Sequence, residues 1–137
     1  MKTLAAILVQ TKKPLALEEI EIPKLRKGQI LVKIHYSGIC GTQLNEIDGK
    51  KGEDKWLPHC LGHEAVGTVC DIGPGVSRAK VDDNVVLTWL RGEGIDAGGV
   101  QYGWRKSVVN AGPVTTFQEY AVVSENRVFT TGGSALK

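Results

Sequence analysis

The dominant feature of the sequence is a succession of short apolar or alternating segments, each closed by turn residues, with almost no helical periodicity. In the clearest segment, residues 29–36, the side chains of Ile30, Val32, Ile34 and Tyr36 share one face and the residues between them share the other. Similar patterns predict strands at residues 4–9, 15–22, 65–72, 84–89, 117–123 and 127–130. We therefore predict a mostly β fold, an antiparallel β-barrel or barrel-like sandwich with one or two short helices.

Three segments fall outside the strand pattern. Residues 42–47 are predicted to form a short helix that Thr42 could cap. Residues 91–113 are rich in glycine and show no period, which predicts a long, poorly ordered excursion on the surface. Residues 132–137 resemble the start of a linker or a helix.

Composition excludes several classes of protein. A chain of 137 residues with 42% apolar and 23% charged residues is typical of one globular domain, not of a disordered tail. The net charge of +2 is too small to indicate nucleic acid or an anionic membrane as a partner. No run approaches the ~20 apolar residues of a membrane span. Three cysteines, an odd number, favour the reducing cytoplasm.

Two short clusters contain residues suited to metal chemistry. Residues 38–42 read Gly-Ile-Cys-Gly-Thr at the end of a predicted strand, and residues 62–64 read Gly-His-Glu before another strand. Cysteine and histidine are ligands that zinc prefers, and a catalytic zinc takes three protein ligands and keeps one open position. A helix that begins beside Cys40 would favour its thiolate form. Each cluster alone is a weak signal, and their combination predicts a metal site.

The order and spacing of five motifs resemble those of the medium-chain zinc-dependent alcohol dehydrogenases. Besides the two clusters, the resemblance includes Gly-Pro-Gly-Val at 73–76, Asp-Asn-Val at 83–85 and Thr-Phe-Gln-Glu-Tyr at 116–120. It extends over nearly the whole chain and implies that residues 1–137 form the GroES-like catalytic domain, ending before a nucleotide-binding domain. The implied reaction interconverts an alcohol and an aldehyde or ketone with NAD or NADP.

The resemblance also implies roles for individual residues. Cys40 and His63 would bind the catalytic zinc, and Glu64 would lie beside it as an exchangeable ligand or acid–base group. Thr42 would be the first group of a proton relay from the substrate alcohol, and Trp89 would line the substrate pocket. Zinc makes an alcohol more acidic, so that hydride can be expelled toward the nicotinamide.

The sequence departs from the family pattern at four places. Gln43 stands where an aspartate usually supports the zinc-binding histidine, and Asn45 stands where many members have a relay histidine. The third zinc ligand lies beyond residue 137 in the family. The four-cysteine lobe that holds a structural zinc is absent, because 91–113 contains no cysteine. We therefore expect no structural zinc, and low zinc occupancy in this chain alone even though Cys40, His63 and Glu64 converge in space.

No nucleotide-binding residues are assigned within the chain. Residues 92–97 formally match a dinucleotide fingerprint, but the glycine-rich residues that follow should not form the helix that the fingerprint requires. NAD or NADP is therefore assigned to a domain outside this chain, and the chain alone is expected to be inactive. The expected partners are a small alcohol or aldehyde and, for the parent protein, further copies of itself; the chain alone is expected to be monomeric.

Two alternatives stay open at this point. A zinc-free relative of the quinone-reductase type would share the fold but would have no use for Cys40, His63 and Glu64. A non-enzymatic binding module of the co-chaperonin type would need a mobile partner-binding loop, for which residues 91–113 are the candidate.

Overall fold

A computed structural model describes residues 1–50 and 52–131, so the linker or helix predicted at 132–137 lies outside the described residues. In chain order the elements are β1 (Lys2–Leu8), β2 (Ala16–Glu21), β3 (Gln29–Ser37), α1 (Gly41–Ile47), β4 (His59–Cys60), β5 (Ala65–Ile72), β6 (Asn84–Leu87), β7 (Val100–Trp104), β8 (Ser107–Ala111), β9 (Tyr120–Ser124), a 3-10 turn (Glu125–Arg127) and β10 (Val128–Thr130). The predicted mostly β fold with a short helix after Cys40 is confirmed. Within the described residues, no helix has the length and apolar character needed to cross a membrane.

The strands form two sheets, which are joined by backbone hydrogen bonds between β1 and residues 117–119, just before β9. One sheet closes into a barrel in the order β1–β2–β7–β8–β4, and the other has the order β10–β6–β5–β3–β9. Strand β3 pairs antiparallel with both β5 and β9. The short contact between β4 and β8 is parallel. Because β3 has a paired strand on each side, and its last residue Ser37 still pairs with Ala65 of β5, its end next to Cys40 is held on rigid backbone.

Alternation along β3 supplies two hydrophobic cores. Ile30 and Val32 are fully buried in the core beneath the five-stranded sheet, whereas Leu31 packs into the barrel core. The alternating residues of β3 therefore form two apolar faces, and each face is buried in a different core. A β-bulge between Ile34 and Tyr36 interrupts the alternation, and Tyr36 is 78% exposed instead of sharing the face of Ile30.

The expectation of a surface excursion at 91–113 is wrong for its second half. Residues 100–111 form the hairpin of β7 and β8, which are two strands of the barrel. Tyr102 is fully buried, and its hydroxyl accepts hydrogen bonds from the backbone N–H of Val122 at 2.7 Å and from Gln118 Nε2 at 2.9 Å. The alternation of Val100 and Tyr102 was too short to predict β7, because glycines stand on either side of it at 98, 99 and 103. Residues 91–99 do lack regular structure, but hydrogen bonds hold them against the end of β9.

Candidate metal centre

Cys40 is placed by the junction between β3 and α1. Cys40 is the N-cap residue of α1, so the prediction that Thr42 caps this helix is wrong. Gln43, which is 2% exposed, accepts the backbone N–H of Cys40 on its Oε1 at 2.8 Å. In return, the side chain of Cys40 accepts the backbone N–H of Gln43. The two contacts together form a capping box, which fixes the backbone from which the thiol projects.

His63 and Glu64 lie on the connection between β4 and β5. Gly62 turns the chain with a φ of +93°, and the carbonyl of Leu61 accepts the N–H groups of Thr116 and Phe117 at 2.9 and 3.0 Å. The carbonyl of Glu64 accepts the N–H of Gly38 at 2.8 Å. Since β3 and β5 are paired neighbours, this last bond joins the two sequence clusters directly.

The side chains of Cys40, His63 and Glu64 converge. Cys40 Sγ lies 3.4 Å from His63 Nε2, which lies 3.3 Å from Glu64 Oε1. Ligand atoms from all three residues lie within 4.8 Å of one another. Atoms held about 2.0–2.3 Å from one tetrahedral zinc are separated from each other by roughly 3.3–3.8 Å. The donor set of thiol, imidazole and carboxylate therefore suits zinc in its chemistry, and the two distances to His63 Nε2 match the spacing of zinc ligands.

The environment of Cys40 favours its thiolate. The hydroxyl of Thr42 lowers the pKa of the thiol most, the backbone N–H groups of Thr42 and Gln43 lower it further, and partial burial and the charge of Glu64 oppose them. Thr42, the predicted relay residue, thus favours the thiolate form of Cys40. In contrast, burial raises the pKa of Cys60 to about 12, and this thiol packs in the barrel core.

These pKa directions predict unequal thiol reactivity. In metal-free protein at neutral pH, iodoacetamide should alkylate Cys40 well before Cys60, because the thiolate is the nucleophile. Substitution Thr42→Val should slow alkylation of Cys40 and move its pH dependence to higher pH, since the hydroxyl no longer stabilises the thiolate. Peptide mass spectrometry measures each site, with the exposed Cys70 as the internal reference. An unchanged rate at Cys40 would contradict the role of the hydroxyl.

Trp89, which is predicted to line the substrate pocket, lies beside His63. Its ring is tilted 58° to the ring of His63, with 6.4 Å between centroids, and the residue is 57% exposed. His63 and Trp89 both line a cleft of about 1140 Å³, whose lining also includes Gln43 and Trp56. Trp56 is 70% exposed, and the strand pattern did not indicate it, because it lies in a loop outside any period.

The other two histidines take no part in the cluster. His59 is buried and lies 2.6 Å from a carboxylate oxygen of Asp54, and His35 Nε2 lies 2.8 Å from the hydroxyl of Thr68. The segment 92–97, which formally matches a dinucleotide fingerprint, leads into strand β7 and not into a helix. Its geometry therefore lacks the helix N-terminus that would receive a pyrophosphate.

Comparison with known proteins decides the family. The family model of the alcohol dehydrogenase GroES-like domain matches residues 26–132. The chain belongs to this family. An alcohol dehydrogenase of Geobacillus stearothermophilus is 43% identical over 86 residues, which cover 63% of this chain and 26% of that protein. The chain thus spans about a quarter of the length of the curated relatives it matches.

Solved structures of other members share the fold. An alcohol dehydrogenase zinc-binding domain protein from Burkholderia ambifaria superposes with a TM-score of 0.80 at 22% identity, covering 99% of this chain and 43% of that one. A cobalt- and zinc-bound thermostable alcohol dehydrogenase from Pyrobaculum aerophilum superposes with a TM-score of 0.71 at 22% identity, covering 96% and 42%. Membership in the family, as its N-terminal GroES-like catalytic domain, is confirmed.

Proposed function

We propose that this GroES-like domain is the alcohol-binding part of a zinc-dependent NAD(P) oxidoreductase that interconverts an alcohol and an aldehyde or ketone. The observation that carries the proposal is the convergence of Cys40, His63 and Glu64, of which His63 also lines the cleft. The matching relatives named alcohol dehydrogenases support the same reaction class. A zinc-free reductase would not need three metal-ligating side chains at one point.

Each residue in or near the cluster would have a separate role in this reaction. Cys40 and His63 would hold zinc, and Glu64, whose side chain is 58% exposed, would be free to approach or leave it. Zinc bound there would supply a Lewis acid that makes the substrate alcohol more acidic. Thr42 would accept and pass on the proton, and the ring of Trp89 would limit the volume beside His63. The nicotinamide cofactor would be bound by a domain outside this chain.

Substitution of either proposed ligand tests this function. Cys40→Ser and His63→Ala should each weaken zinc binding by at least about 100-fold, since each removes a direct ligand, and even changes behind the ligands cost 10–100-fold. Zinc affinity is measured by competition with a chromophoric chelator, and Co²⁺ adds a thiolate-to-metal absorption band that should vanish in Cys40→Ser.

The matched control for the cysteine is Cys70→Ser, because Cys70 is an exposed thiol on β5 that takes no part in the cluster. This variant should bind zinc as the unaltered chain does. Retention of full zinc affinity by both Cys40→Ser and His63→Ala would contradict the proposal and favour the zinc-free reductase.

A further inference from the structure

The side chain of Gln43 connects the two halves of the metal centre. Its Oε1 accepts the backbone N–H of Cys40 at 2.8 Å, and its Nε2 lies 3.1 Å from His63 Nδ1. The residue is 2% exposed, so water does not compete for these contacts. A single buried amide therefore determines which hydrogen-bonding groups face both proposed zinc ligands.

The backbone N–H of Cys40 fixes the orientation of this amide. A backbone N–H can only donate, so the Gln43 atom that faces it must be the carbonyl oxygen. The NH₂ group is thereby turned toward His63 Nδ1, and an amide NH₂ can only donate as well. His63 Nδ1 must consequently be the acceptor, with a lone pair and no proton. A neutral imidazole with this arrangement has its proton on Nε2.

The opposite side of the His63 ring agrees with that tautomer. Nε2 faces Cys40 Sγ at 3.4 Å and Glu64 Oε1 at 3.3 Å, and both of these atoms can accept a hydrogen bond. The Nε2–H tautomer therefore satisfies every contact of the ring in the metal-free site. It is also the tautomer that cannot bind zinc through Nε2, because ligation needs a lone pair on that nitrogen.

We propose that Gln43 is a positioning residue that holds His63 in its Nε2–H tautomer and so lowers the affinity of this site for zinc. The inference rests on the proposed zinc function. If the proton moves to Nδ1, it faces the NH₂ of Gln43. If the amide then turns over, its NH₂ faces the N–H of Cys40. In either arrangement two donors oppose each other, so one amide cannot serve both ligands in the zinc-bound state.

A carboxylate at position 43 removes this conflict. Glutamate has nearly the same shape as glutamine, and its two oxygens can accept the N–H of Cys40 and Nδ1–H of His63 together. Substitution Gln43→Glu should therefore strengthen zinc binding, by roughly 10–100-fold. The control is Asn45→Asp, which adds the same charge on the exposed side of α1 and should change zinc affinity far less. Equal zinc affinities of these two variants would overturn the proposal.

A measurement on the unaltered, metal-free chain tests the tautomer without any substitution. Two-bond ¹H–¹⁵N correlation spectra of histidine rings distinguish Nε2–H from Nδ1–H directly. We expect Nε2–H at His63, and Nδ1–H in Gln43→Glu. Finding Nδ1–H in the unaltered chain would overturn this inference and leave the proposed function intact. Finding Nε2–H, with no zinc bound by either form, would support the tautomer and count against the proposed function.

Discussion

Replacing Gly62 with alanine is expected to destabilise the protein by about 2–5 kcal/mol and to displace His63 from Cys40 and Glu64. Gly62 has a φ of +93°, where a residue with a β-carbon is strained. A β-carbon there would also lie 2.1 Å from Thr116 Oγ1 and 2.7 Å from Phe117 Cδ1. Those two residues cannot yield easily, because both donate backbone hydrogen bonds to Leu61.

The free energy of unfolding in urea measures the stability change for Gly62→Ala. Zinc affinity, or the absorption of the Co²⁺ form, reports whether His63 still reaches Cys40. Gly112→Ala is the matched control, since no atom lies within 4 Å of a β-carbon built there and its φ is not positive. If Gly62→Ala were as stable as Gly112→Ala and bound zinc equally well, the tight approach of residues 116–117 would not be what positions His63.

Replacing Glu125 with alanine is expected to cost about 3–5 kcal/mol of stability. Its carboxylate is fully buried and accepts the backbone N–H groups of Ser77 at 2.6 Å, Arg78 at 2.7 Å and Ile95 at 2.9 Å. Alanine would leave these donors without their partner in the interior. The substitution should also release residues 91–99 from β9, which hydrogen exchange of the Ile95 amide would detect.

The same carboxylate predicts a pH dependence of stability. Burial alone would raise the pKa of Glu125, but the N–H groups of Ile95, Ser77 and Arg78 outweigh it and hold the pKa below its ordinary value. A lowered pKa in the folded state means that the contribution is complete above the unfolded pKa of about 4.3 and is lost as pH falls through the folded pKa. Urea unfolding between pH 7 and pH 3 should show that the free energy of unfolding falls as the pH is lowered. This fall should be smaller in Glu125→Gln. An exposed control, Glu119→Gln, should keep the pH profile of the unaltered protein, and identical profiles for all three proteins would contradict the role of Glu125.

Local patterns were sufficient to predict most of the strands. The alternation at residues 29–36 predicted β3 correctly except for its last residue, Ser37. The shortage of helical periodicity indicated the class of fold. Strand β4 was missed because it has only two residues, and β7 because it contains a glycine and follows two others. Strand β8 was missed because its sequence, Ser-Val-Val-Asn-Ala, does not alternate between apolar and polar residues. Their place in the barrel comes from pairing with distant strands, which no local pattern encodes.

The sequence by itself identified Cys40, His63 and Glu64 as candidate metal ligands. Cys40 after one strand and His63-Glu64 before another form a specific pair of motifs, because few side chains other than thiolate, imidazole and carboxylate bind zinc. Only the tertiary structure decided how these groups face one another. The pairing of β3 with β5 brings them to one point, and the buried amide of Gln43 sets the proton position on His63. The direction of a hydrogen bond depends on what a donor or acceptor meets in three dimensions, and residue types along the chain do not contain that information.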